Sequence, residues 1–289
     1  MYRLLSSQSI VDNVVVLLAP YLDNSGQGQS IHSLKKAYIS FLTNLNHTVP
    51  NKLGQLFEFD VSFEKSIHNF FNYKDENIGA VVRNTRAPEH TMSDLHDPES
   101  RNKQLESAYE GFQSIDPVFH SLFGLIINKV LSTSNENDHA TGSASNPKFL
   151  GIVTVSKDIV VTSQRGIREV LVHEFTHNAY LLDELRWGYF KDMAKVHSKE
   201  NYIKSSLFSR MLPLPRTLHS LLVACEILLL RKSLNYHPEQ FDGHPITETI
   251  LEKAKVTNKL IIDNKRISKN FTPRAMQILS LCEETICSY

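Results

Sequence analysis

Cysteine is scarce in this chain. Only Cys225, Cys282 and Cys287 occur in 289 residues, an odd number without zinc-ribbon spacing, which argues against a disulfide framework and against a cysteine-built metal site. Net charge is missing as well. The 31 basic and 31 acidic residues balance, so nothing in the overall electrostatics draws the chain to nucleic acid or to an anionic membrane. Near the N-terminus the longest apolar run, Val14 to Pro20, falls well short of the ~20 residues that span a bilayer. No basic start or small-residue cleavage site makes it a signal peptide. The expected setting is the cytoplasm, with neither membrane nor nucleic acid as partner. Internal repeats and long low-complexity tracts are also absent.

What remains is a folded protein, 41% hydrophobic, of a length that suits one large domain or two small ones. Apolar spacing and proline positions predict helices over Ser30 to Leu45, Phe63 to Tyr73, Leu105 to Leu131 (bent near Asp116-Pro117), Ser163 to Trp187, Pro215 to Leu234, Pro245 to Ile262 and Pro273 to Ile286. The β-branched stretch Leu150 to Thr162 reads as one strand or a short hairpin. Polar segments Asn84 to Asn102 and Ser132 to Lys148 read as loops. The expected fold is mainly α (α+β), a helical domain with a small sheet or hairpin before the helix at 163–187. In this reading residues 1–131 form a helical N-terminal half that carries peptide binding, 132–149 a loop, and 150–289 a metal-binding catalytic half, all in one continuous domain.

Within that helix stands Val172-His-Glu-Phe-Thr-His-Asn178. Residues four apart on a helix lie over one another, so His173 and His177 can point two imidazoles at one cation. The alternative is a pair of half-buried histidines bonded to carbonyls or water. Two imidazoles hold a catalytic metal poorly, and a third protein ligand is expected, with positions left open for substrate. The extended zinc-protease pattern would need Gly where Tyr180 stands and a ligand at Asp183. Without that glycine Asp183 stays on a continuing helix, where it caps, pairs or faces solvent. Glu184 shares a face with His177 but lies about 10 Å up the axis. A ligand from the 215–234 helix is preferred: His219, among Leu218, Leu221 and Leu222, with Glu226 as alternative ligand or as the acceptor that orients an imidazole. A carboxylate in so apolar a helix needs a partner, and an arginine would serve as well as a metal. His197, His237 and His244 are weaker candidates.

The Gly151-Ile-Val-Thr-Val strand, Leu171-Val-His-Glu-Phe-Thr-His177 and Leu212-Pro-Leu-Pro-Arg-Thr-Leu-His-Ser220 together resemble the HExxH-motif peptide-modification proteins of ribosomal peptide biosynthesis. The likeness covers roughly Leu150 to Leu230. It implies an iron(II)- and 2-oxoglutarate-dependent oxygenase that uses dioxygen to hydroxylate the β-carbon of residues in a precursor peptide, not a protease. Two departures stand out: Ser220 follows the histidine where a smaller residue, often Gly, is expected, and the uncharged Leu212 precedes Pro213. A cation for the cosubstrate carboxylate must then come from elsewhere, and Arg216 or Arg210 is the candidate; either could instead be a plain surface or capping residue.

Three readings follow. In the oxygenase, His173, His177 and His219 hold Fe(II), and Glu174 tunes the metal, binds water or holds a histidine. In a zinc metallopeptidase, Zn²⁺ polarises the scissile carbonyl, Glu174 is the general base, and Glu226 becomes the third ligand. In a non-catalytic peptide-binding module the metal motif would be idle, although all three of its core residues are intact.

Overall fold

A computed structural model describes residues 4–22, 30–45, 55–58, 97–132, 143–145, 147–155, 163–207 and 210–289. The expected helix at Phe63 to Tyr73 lies outside them, as do 84–96, 133–142 and 156–162. Among the described residues the fold is mainly helical with small sheets. The chain packs as two units, Val11–Asn178 and Met1–Ile10 with Ala179–Tyr289. Helix α1 (Ser7–Leu18) therefore begins in the second unit and ends in the first, and the boundary near 178 falls inside the motif helix rather than at 132–149.

In the unit Val11–Asn178, α2 (Ile31–Leu45) is followed by β1 (Phe57–Glu58), α3 (Pro98–Ile115), α4 (Pro117–Ile126), β2 (Lys129–Ser132), β3 (Ser143–Ser145), β4 (Ile152–Val155) and the first part of α5 (Gln164–Trp187). The sheet order is β1-β2-β4-β3, with β1, β2 and β4 parallel and β3 antiparallel on the β4 edge, Ser145 opposite Val153. Three expectations need correction here. Pro98 to Asn102, expected as loop, is the first turn of α3, because Asp97 accepts from Ser100 N at 2.8 Å and Pro98 needs no donor there. The helix expected to reach Leu131 stops at Ile126, and Lys129–Ser132 turns to strand because Val130 and Leu131 bury fully in register with Val153 and Thr154. Part of the expected loop Ser132 to Lys148 is strand β3. The break at Asp116-Pro117 is as expected: Asp116 caps α4 through Phe119 N at 2.9 Å.

Packing in this unit centres on aromatic rings. Phe119 lies 4.4 Å from Phe112 and 5.0 Å from Phe175, and Phe123 stacks on Phe175 at 6.1 Å. Phe175 stands between the two motif histidines, so burying it against α4 turns those histidines towards the other side of α5. Burial of such a ring contributes roughly 1.5–3 kcal/mol.

The other unit holds the end of α5, α6 (Met193–Val196), the antiparallel pair β5 (Ile203–Lys204) and β6 (Met211–Leu212), α7 (Leu214–Leu234), α8 (Thr247–Ile262), α9 (Lys265–Ser268) and α10 (Pro273–Cys287). Leu218, Leu221, Leu222, Val223, Ala224, Cys225, Ile227 and Leu228 of α7 are all fully buried. A helix that is apolar all round belongs at a centre, and α7 packs on both α8 and α10. Gly188 ends α5 at φ +64°, a conformation that favours glycine. Just before it, Asp183 is fully buried and gripped from two sides. Arg274 reaches it bidentately at 2.7 and 2.9 Å, and the Tyr189 hydroxyl donates at 2.9 Å. Asp183 is thus a pairing residue, one of the roles its place on a continuing helix predicted. No described helix is long and apolar enough to cross a membrane.

Removing one partner of a buried ion pair strands the other. Arg274→Ala should cost about 3 kcal/mol, read as a lower urea midpoint in the fluorescence of Trp187, the only tryptophan and 6.0 Å from Arg274. An unchanged midpoint would mean that the pair contributes no stability.

Candidate metal centre

Two adjacent faces of α5 build the candidate centre. On one, His173 Nε2 and His177 Nε2 converge to 3.0 Å, their ring planes inclined by 64°. Two nitrogens bonded to one cation at about 2.0–2.1 Å, with an angle near 90–110°, stand roughly 2.9–3.4 Å apart. The spacing therefore suits two ligands of one ion, as it also suits a hydrogen bond between the rings. Both histidines keep some solvent access, while every motif residue between them is buried.

The second face carries Glu174 and Asn178, again four residues apart and both fully buried. Glu174 Oε2 accepts from Ser145 Oγ at 2.5 Å. Its other oxygen, Oε1, has no hydrogen-bond partner among the described residues and lies 3.9 Å from His173 Nε2. Burial raises the Glu174 carboxyl, and although the Ser143 and Ser145 hydroxyls pull it back, it stands at about 7 instead of near 4.5. Asn178 ties the arrangement together. Its Nδ2 donates to Ser145 Oγ at 3.0 Å and to Glu174 O at 2.9 Å, while its Oδ1 accepts from Gly151 N at 2.7 Å. Gly151 sits at φ +82°, and a Cβ there would lie 2.9 Å from Leu42 Cδ1. The turn into β4 is thereby pinned to the motif helix.

The remaining candidates lie in the other unit. His219 Nε2 is 3.7 Å from Glu184 Oε2. Glu226, almost fully buried, accepts from Leu4 N at 3.1 Å and from the Tyr180 hydroxyl at 3.4 Å. Arg210 follows the loop that starts at Ser205, and burial together with the neighbouring Arg216 guanidinium pushes its pKa down. That loop is fastened to α7 by Ser220, whose hydroxyl meets Ser205 Oγ at 2.6 Å and Ser206 Oγ at 3.0 Å and accepts from Leu207 N at 3.0 Å. The serine that stands where a small residue, often Gly, is expected is therefore a fastener for residues 205–207.

No family model and no curated protein matches this chain. The geometry must speak for itself. His173, His177 and Glu174 stand together as the motif predicts; among the described residues, no three His, Cys, Asp or Glu side chains gather closely enough to hold a metal ion. Ser143, Ser145, Asn178 and Gly151 were not singled out as site residues by sequence reasoning. For Asn178 a signal existed, since it repeats the four-residue spacing one position on from the histidines; for the serines none did.

A carboxyl whose folded pKa is raised stabilises the fold fully below its unfolded value, and that contribution is lost as pH rises through the folded value. In metal-free protein, stability should fall by roughly 3 kcal/mol between about pH 4.5 and pH 7 through Glu174. Glu174→Gln should remove that part of the slope in urea unfolding followed by circular dichroism; an identical slope in both proteins would refute the assignment.

Proposed function

We propose that the chain is an Fe(II)- and 2-oxoglutarate-dependent oxygenase, acting in the cytoplasm, that hydroxylates a side-chain β-carbon of a ribosomally made precursor peptide. The observation that carries it is the convergence of His173 Nε2 and His177 Nε2 at 3.0 Å beside a bare carboxylate oxygen. These two imidazoles would hold the metal, and His219 is the candidate for the third position. Because no three His, Cys, Asp or Glu side chains among the described residues gather closely enough to hold a metal ion, binding in this reading brings the third ligand in. Iron with 2-oxoglutarate supplies, when bound, the activation of dioxygen needed to hydroxylate an unactivated C–H bond. Arg216 or Arg210 would hold the cosubstrate carboxylate. Glu174 Oε1, 3.9 Å from the same His173 nitrogen, would tune the metal or bind its water. The likeness to the HExxH peptide-modification proteins supports the choice of chemistry.

One observation favours a second reading, a zinc metallopeptidase. Glu174 Oε1, 3.9 Å from His173 Nε2 and without a hydrogen-bond partner among the described residues, would take a proton from water there and return it to a leaving amine. In that reading Glu226 supplies the third ligand.

Anaerobic addition of Fe(II) and then 2-oxoglutarate separates the two. The oxygenase should give a weak visible charge-transfer band that requires both additions and disappears in His219→Ala. Absence of the band, with tight Zn²⁺ retention that is lost in Glu226→Gln, would overturn the proposal in favour of the peptidase.

A further inference from the structure

We infer that Ser145 is a positioning residue for Glu174, strand β3 holding one carboxylate oxygen so that the other stays turned towards His173 Nε2. The inference rests on the reading of His173 and His177 as metal ligands and adds to it a segment outside the motif helix.

The argument is directional. Gly151 N can only donate, so Asn178 must present Oδ1 to it, at 2.7 Å. That fixes the amide the other way round at Ser145, where Nδ2 donates at 3.0 Å, and the same nitrogen is held by Glu174 O at 2.9 Å. An amide nitrogen accepts nothing, so the Ser145 hydroxyl must send its single proton elsewhere. Glu174 Oε2 is the side-chain acceptor it meets. Ser143, two residues earlier on the same face of β3, adds a second hydroxyl to the carboxylate.

The outcome is asymmetric. A buried carboxylate held only for the sake of the fold has both oxygens satisfied, as Asp183 has. Glu174 has Oε2 fastened and Oε1 without a hydrogen-bond partner among the described residues, 3.9 Å from His173 Nε2. Oε1 is thus the oxygen that meets whatever the two imidazoles bind, and the chain Gly151, Asn178, Ser145 keeps it there.

Co(II) alone serves as probe, titrated into the full-length, metal-stripped protein, with its visible d–d spectrum and dissociation constant as readouts. Ser145→Ala should weaken Co(II) binding about 10- to 100-fold and shift the bands, with unchanged circular dichroism. Ser145→Thr, which keeps the hydroxyl, should restore both. In a Glu174→Ala background the Ser145→Ala change should have no further effect. Wild-type affinity and spectrum in Ser145→Ala would overturn the positioning role and leave the histidine pair standing. A further loss in the Glu174→Ala background would overturn it too, placing Ser145 in the fold alone. Absence of any Co(II) bands in the wild-type chain would overturn the metal reading together with this inference.

Discussion

A carboxylate removed from water loses its hydration and must find replacements among protein groups, and in this chain the centre is organised around that requirement at Glu174. The side chain is fully buried, and burial raises its pKa, which stands at about 7 after two serine hydroxyls have pulled it back. Ser143 and Ser145 supply hydroxyls, which brings strand β3 to the motif helix. Asn178 orients Ser145, and Gly151 orients Asn178, which fastens the turn into β4 at the same place. The local arrangement of helix, edge strand and turn thus follows from satisfying one oxygen of one carboxylate.

The same helix meets a second demand on its neighbouring face. His173 and His177 keep access to solvent, whereas Phe175 between them is pressed into Phe119 and Phe123. Helical periodicity assigns each residue of the motif a different environment: imidazoles towards the open side, the aromatic ring towards the core, the carboxylate and amide towards β3. A two-residue slip would send an imidazole into the aromatic cluster and the phenyl ring to the open side. The register of α5 is consequently set by packing, and the geometry of the histidine pair inherits its definition from Phe175.

What could be read in the sequence was what local rules govern. The limits of α5, the stop at Gly188, the break at Asp116-Pro117 and the pairing of His173 with His177 all depend on residues within one or two turns of each other. What could not be read depends on distant partners. Lys129–Ser132 continues an apolar helical pattern and becomes strand only because Ile152–Val155 lies beside it. Ser145 sits in a polar run that reads as a connection, and nothing local shows that its hydroxyl meets a carboxylate 29 residues away. Glu226 was flagged correctly as a carboxylate in need of a partner, but a backbone N–H at Leu4 and a tyrosine hydroxyl carry no pattern in sequence.

Two buried carboxylates on α5 show what the difference means. Asp183 receives a bidentate guanidinium and a phenol, the full complement that makes a buried charge tolerable. Among the described residues, Glu174 receives two hydroxyls and no Lys or Arg, and one of its oxygens accepts nothing. The protein places a guanidinium two and a half turns further along the same helix, so a fully paired buried carboxylate is within its means. The uncompensated oxygen lies beside two converging imidazole nitrogens, where a divalent cation would supply the missing positive charge and draw the carboxyl's pKa back down. On the metal reading, a bound cation would offset the rest of the cost of burying Glu174 as a charge. Occupancy of the histidine pair and the charge on Glu174 would then be one coupled equilibrium, in which each favours the other.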